Sequence, residues 1–203
     1  MKNFGLVVLG AHFGVWLNEI LSEYKNQNIL LVEPVPYNYK ILVEKFSKIE
    51  NILICTNAIS SENKKEKFYF VKENSISKLG KHWASGIGSF DKQHILNHKT
   101  KRFQIQEEDI DEIMIDFITF ENLINKYEIK TIDKLQIDVE GAEYNILNSI
   151  DFNKININSI LFESKHFDGT FTEGPKLEFI KNKLQLNGYN ITQLDKENIL
   201  AKK

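Results

Sequence analysis

The stretch Leu6-Val7-Val8-Leu9-Gly10-Ala11-His12-Phe13-Gly14 joins an unbroken apolar run to a loop bounded by two glycines. The run is too short for a helix. Continuous rather than alternating hydrophobicity is expected of a parallel strand covered on both faces. Glycines there permit a tight turn and let backbone N–H groups approach a ligand where the first helix opens. The spacing is G-x-x-x-G, so the G-x-G-x-x-G dinucleotide fingerprint is not met.

Working outward, two further apolar runs occupy residues 29–32 and 52–56. Between the three runs, Val15, Ile20, Leu21 and Tyr24, then Tyr39, Leu42, Val43 and Phe46, recur at helical spacing. Strand, helix, strand, helix and strand in this order open a doubly wound α/β domain with a mostly parallel sheet. The pattern resumes later. Residues 120–127, 143–150 and 176–186 read as helices, 135–139 and 157–163 as strands, and 189–193 with 198–202 as a closing antiparallel hairpin. Residues 64–116 interrupt the alternation before the fourth core strand. Apart from a strand at 68–71 they are polar, hold His82, His94 and His98, and read as a lid or substrate insertion within a single domain spanning 1–203.

Composition narrows the partners. The chain carries 26 Lys+Arg against 28 Asp+Glu, a net charge of -2, and its one arginine is Arg102. That balance argues against nucleic acid as a partner, which needs phosphate neutralisation, and offers almost no bidentate guanidinium forks. No run is long enough to span a membrane, and the N-terminus lacks the pattern of a signal peptide. Cys55, the single cysteine, sits in an apolar run and reads as a buried structural thiol. A cytoplasmic location is expected.

Several residues carry chemistry. Glu33 ends the second strand, where an acidic side chain can accept hydrogen bonds from both ribose hydroxyls of an adenosine-containing ligand, and Pro34 and Pro36 fix the turn behind it. Asn57, Ala58 and Ile59, after the third strand, border the same crevice and could meet adenine. Asp138 and Glu140 stand two apart at the end of a later strand, close enough to split their pKa values so that one acts as a base. His166, just past the next strand, is a third candidate for proton transfer. His82, Trp83, Ser85 and Ser89 offer aromatic and hydroxyl groups that suit a sugar, and Glu163, at a strand end, is a further acceptor-binding candidate. His94 and His98 have a spacing able to bind a metal from one helix face, and Asp138, Glu140 and His166 form a second conceivable set. With no third ligand evident beside the histidine pair, no metal is assigned.

The blocks Gly10-Ala11-His12-Phe13-Gly14, Val32-Glu33-Pro34-Val35-Pro36-Tyr37-Asn38, Asn57-Ala58-Ile59-Ser60 and Ile137-Asp138-Val139-Glu140-Gly141-Ala142-Glu143 resemble, in order and spacing, the FkbM-type methyltransferases. The resemblance runs from about residue 5 to about residue 193. It implies the class I Rossmann-like fold, with a seven-stranded sheet ending in a reversed hairpin. It also implies S-adenosyl-L-methionine as cofactor and O-methylation of a sugar, glycan or other small hydroxyl-bearing acceptor. Gly10, Ala11, His12 and Gly14 would then cradle the methionine portion, Glu33 with Pro34 the ribose, and Asn57, Ala58 and Ile59 the adenine, with Asp138 also beside the cofactor. Two positions depart from the family: Val8 replaces the usual acidic residue, and His12 the usual asparagine. Val8 motivates the alternative of a catalytically weak or non-catalytic binding module on the same fold. A nicotinamide-dependent oxidoreductase, which Glu33 would also serve, is the third reading.

Overall fold

In the computed structural model, residues 1–14, 17–80, 82–100, 103–168 and 174–203 are described, without the side chains of Asn18, His82, Trp83, Lys99, Thr100 and Phe103. Val15, expected on the first helix, lies outside this set. The chain opens with β1 (Lys2–Leu9), α1 (Leu17–Glu23), β2 (Asn28–Val32), α2 (Pro36–Phe46) and β3 (Ile52–Cys55). A second unit follows: β4 (Ala58–Ser60), β5 (Lys64–Val71), α3 (Glu73–Leu79), β6 (Gly88–Ser89), α4 (Lys92–Leu96), β7 (Lys99–Thr100), β8 (Phe103–Gln104) and β9 (Ile110–Thr119). The chain closes with α5 (Phe120–Lys126), β10 (Ile129–Ile137), α6 (Glu143–Ser149), β11 (Asn156–Glu163), α7 (Pro175–Leu186), β12 (Asn190–Gln193) and β13 (Asn198–Lys202).

The main sheet has seven strands in the order β12-β13-β11-β10-β1-β2-β3, with β13 antiparallel to both its neighbours and the other pairings parallel. This is the expected class I arrangement with its C-terminal hairpin. The unbroken apolar run of β1 is explained by its central place. Leu6 and Val8 enter one core with Leu17, Leu31, Leu42 and Phe46, while Phe4, Val7 and Leu9 enter the opposite core. That second core holds Phe120, Leu123, Ile146, Leu147, Ile180 and Leu184 from α5, α6 and α7. Alternate side chains of one strand therefore bind two helical layers to the sheet. Val8 is fully buried among aliphatic side chains, a place where a carboxylate would lack a partner.

The segment read from sequence as a largely irregular insertion holds more order than expected. A four-stranded sheet, β4-β9-β5-β6, runs through it, and β5 pairs with β9 along residues 64–71 and 110–117. β9 escaped the sequence reading because acidic residues occupy its outer face. Glu112, Met114 and Asp116 are exposed there, whereas Ile113, Ile115 and Phe117 turn toward Val35, Phe68 and Phe70.

The core on the α5–α7 side sets the stability of the whole. Phe162 is fully buried in it and stacks on Phe167 at 5.8 Å. Replacing it with alanine is expected to destabilise the fold by about 3–5 kcal/mol, read as a lowered midpoint in urea unfolding with an unchanged slope.

Candidate active site

Parallel pairing brings the carboxyl ends of β1, β2 and β10 side by side, and the chain turns sharply at each. Gly10 has φ +85°, and a Cβ there would lie 1.7 Å from the Asp138 carbonyl oxygen. The loop after β1 and the turn after β10 thus touch through backbone, and only glycine fits between them. Beside them opens a cavity. Gly10, Glu33 and Pro34 form one part of its lining, Asn57, Ala58 and Ile59 a second, and Asp138 with Glu140 a third. Phe68, Gly88, Ser89 and Phe117 from the second sheet close it over.

Glu33 is the structural hinge of this region. Its carboxylate is 4% exposed and accepts the N–H groups of His12 at 2.8 Å and Val35 at 2.9 Å. Burial pushes its pKa up to about 7, against the pull of those two backbone donors and Asn38. Gly10 and Ala11 both donate to the Val32 carbonyl at 3.0 Å, so the glycine loop is bound to β2 through its own amides. His12, with φ +53°, turns its ring toward the insertion, and Nε2 lies 2.5 Å from Ser85 Oγ. Asn38, fully buried, donates to the Ser85 carbonyl at 2.7 Å, and Tyr37 donates to the Val71 carbonyl at 2.8 Å, with the Ser85 oxygen 3.3 Å away. The E-P-x-P-Y-N block thereby holds the insertion onto the crevice. Sequence reasoning missed this role of Tyr37 and Asn38. Two side chains of high hydrogen-bonding capacity directly after a proline turn were the available signal.

The other expected contacts fall as follows. Ala11 is buried in the core beneath the loop, and Gly14 packs against Phe46, Leu42 and Leu17. Asn57 donates its amide to the Asp116 carbonyl at 3.0 Å and accepts Lys126 Nζ at 2.8 Å. Ala58 and Ile59 present buried apolar surface to the cavity, and Ser89 lines it while its Oγ accepts from Asp91 N–H at 3.1 Å. Ser85 sits against His12 rather than in the cavity wall. The side chains of His82 and Trp83 lie outside the described residues.

The structure brings Asp138, Glu140, Glu163 and His166 together at the ends of β10 and β11. Asp138 faces the opening, and protein packed around it together with Glu140 raises its pKa to about 6. Glu140 takes a left-handed backbone turn at φ +56°. Burial alone would raise its pKa, but His166, His98 and Lys165 hold it far below the usual carboxylate range. Burial, with Asp138 and Glu140 nearby, lifts Glu163 to about 8 even though Lys165 Nζ bonds it at 2.6 Å. Glu143 is 1% exposed and accepts the N–H groups of Val139 at 2.8 Å and Gly141 at 3.0 Å. It braces the turn from inside rather than lining the cavity, and burial raises it to about 7. Lys165, which sequence reasoning did not single out, is the cation of this group.

Residues 9–191 match the methyltransferase FkbM domain family, and the chain belongs to that family. Among curated proteins none matches it. Its backbone is similar to a methyltransferase FkbM from Methylobacillus flagellatus KT, with TM-score 0.52 and 12% identity, over 99% of this chain and 44% of that one. The chain thus spans less than half the length of that relative. Lower similarity reaches a precorrin-6y C5,15-methyltransferase from Geobacter metallireducens GS-15 (TM-score 0.46, 11% identity, 100% of this chain and 82% of that one). Aeropyrum pernix fibrillarin in complex with S-adenosyl-L-methionine has TM-score 0.45 and 11% identity, covering 99% of this chain and 66% of that one.

The burial of Glu33 has a thermodynamic signature. Its folded-state pKa of about 7 exceeds the ordinary 4.5, so the folded protein binds more protons between those values. Stability from this group is full below pH ~4.5, declines as pH rises and is lost above pH ~7. Glu33→Gln removes the titration. The stability of wild type relative to Glu33→Gln should fall by roughly 2–4 kcal/mol between pH 5 and pH 8, as measured by urea unfolding at each pH. A constant difference would show that Glu33 titrates normally.

Proposed function

We propose that the chain is an S-adenosyl-L-methionine-dependent O-methyltransferase acting on a sugar, glycan or other small hydroxyl-bearing acceptor. The observation that carries this reading is the single cavity wall shared by Gly10, Glu33 and Asp138, from the ends of β1, β2 and β10, with Ile59 of β4. Ligands of open α/β sheets bind at this edge. The residues present fit the cofactor's nucleoside half. Glu33 offers carboxylate oxygens at the cavity, while Val35, Ile59 and Phe68 supply apolar surface for a flat base. The bare Gly10 leaves backbone room beside Asp138. When bound, the cofactor supplies a methyl group activated by a sulfonium.

The protein's own contribution is positioning and proton handling. Asp138, open to the cavity, orients the acceptor hydroxyl and takes its proton. Glu140 and His166 face each other at 3.6 Å and support the turn that carries Asp138. The second sheet covers the crevice and excludes water. Glycan and sugar acceptors agree with a cavity that presents carboxylates, hydroxyls and aromatic faces rather than guanidinium groups. The chain acts in the cytoplasm, as a single domain with residues 64–116 serving as its lid.

Calorimetry with S-adenosylhomocysteine tests the cofactor assignment, and absence of binding at millimolar ligand overturns it. Glu33→Ala should weaken that binding at least about tenfold through loss of a buried hydrogen-bonding group. Transfer of labelled methyl from S-adenosyl-L-methionine to a panel of hydroxyl-bearing sugars tests the acceptor class. Asp138→Asn is expected to lower kcat by about 10²–10⁴-fold with little change in cofactor affinity. Intact turnover would leave Asp138 without a role in the chemistry.

A further inference from the structure

Three histidines and one glutamate meet beside the cavity without satisfying one another. Nε2 of His94, His98 and His166 and Oε2 of Glu140 are all buried and have no hydrogen-bond partner among the described residues. One ligand-type atom from each of the four lies within 4.8 Å of every other. The imidazole rings pack edge to face, with centroids 4.8, 5.1 and 5.7 Å apart. Four orphaned polar atoms are exceptional in a native interior, and converging on one point they ask for a shared partner.

Hydrogen bonding fixes the tautomer of one of the rings. His98 Nδ1 lies 2.9 Å from the His94 carbonyl oxygen, which can only accept, so Nδ1 carries the hydrogen. In the neutral ring Nε2 then presents a lone pair, and it faces a carboxylate oxygen 3.5 Å away. His166 Nε2 stands 3.6 Å from the same oxygen. Both distances are too long for good hydrogen bonds, but they approach the ~3.3–3.4 Å edge of a tetrahedron of N and O ligands about 2.0–2.1 Å from zinc. Lys165 does not resolve the arrangement: its Nζ is 4.0 Å from Glu140 Oε2 and bonds Glu163 instead at 2.6 Å. Charging all three rings would crowd three cations together, whereas one divalent ion satisfies every lone pair at once.

The backbone is shaped for the same end. The left-handed turn at Glu140 is followed by Gly141 at φ +108°, where a Cβ would come within 3.1 Å of the His94 ring. Gly141 makes room for that imidazole. The hydrogen bond from His98 Nδ1 to a backbone carbonyl is the outer contact that commonly orients a metal-bound histidine.

We infer that His94, His98, His166 and Glu140 form a four-coordinate site for a transition-metal ion of the zinc class. Three imidazoles and one carboxylate are a borderline-soft donor set that suits zinc and discriminates against calcium and magnesium. All four positions are filled by protein, so the ion is structural. His94 and His98 belong to the insertion, Glu140 follows β10, and His166 follows β11. The ion therefore clasps the insertion to the two strand ends that carry Asp138 and Glu163. The inference does not rest on the acceptor or on methyl transfer.

The test uses the full chain, stripped with a chelator and titrated with cobalt(II) as a spectroscopic substitute for zinc. The expected result is a saturable visible absorption of tetrahedral intensity at one equivalent, abolished by added zinc. Zinc should also raise the melting temperature of the stripped protein, because it binds the folded form. His166→Ala should eliminate the cobalt signal, and Glu140→Gln should weaken binding at least about tenfold. Circular dichroism confirms that each variant is folded. Wild-type protein that shows no saturable binding, or only a weak octahedral spectrum, overturns the proposal. So does equal binding by folded His166→Ala, which would leave the cluster a set of hydrogen-bonding histidines.

Discussion

The contact on which the rest depends is the close approach of the Gly10 loop to the Asp138 carbonyl. It follows from parallel pairing of β1 with β10, whose register matches Leu9 with Ile137. Two adjacent parallel strands end at the same edge, so the chains leaving them compete for one space. Glycine at position 10 resolves the competition by having no side chain. Everything chemical follows from that resolution. Glu33 arrives beside the loop because β2 pairs with β1 on the other side, and Asp138 and Glu140 arrive because β10 stops where it does. Helical layers on both faces hold the sheet, and hence this edge, in place.

The core fold was legible because hydrophobic pattern and topology coincide. Unbroken apolar runs at Leu6 to Leu9 and at Ile29 to Val32 belong to strands buried on both faces. The closing hairpin was legible for a related reason: Asn198-Ile199-Leu200-Ala201-Lys202 alternates buried and less buried residues. β9 was not legible. Its sequence mixes acids with isoleucines, and which face is buried depends on β5, a partner some forty residues earlier in the chain. Strand pairing of that kind is set by tertiary contact, beyond the reach of a local window.

The candidate site was legible in part, and the division has a physical cause. Glu33, Asp138 and Glu140 could be singled out because each ends a recognisable strand, where topology alone predicts exposure to a crevice. The insertion's contributions could not be placed. His94 and His98 stand four apart, which identified a pair, but nothing local indicates that His166 lies across from them. Tyr37 and Asn38 are similar: their sequence position is plain, while their partners, the Val71 and Ser85 carbonyls, are not. Short-range spacing reveals donors, and the fold decides what they meet.

These two attachments make the insertion more than a cover. At one end Tyr37 holds the Val71 carbonyl and Asn38 the Ser85 carbonyl while Ser85 Oγ meets His12, tying the insertion to the loop after β1 and the turn after β2. At the other end His94 and His98 pack against Glu140 and His166, beyond β10 and β11. The hydrophobic cluster of Val71, Ala84, Ile87, Ile95 and Ile105 joins the two ends as one packed body. Motion of the insertion at Ser85 therefore cannot be independent of its position at Glu140, since packed interiors transmit displacement. Glu33 sits at the first attachment and Asp138 at the second, on opposite sides of Gly10. The Glu33 side of the cavity and the side where Asp138 faces the opening therefore share one packed cover.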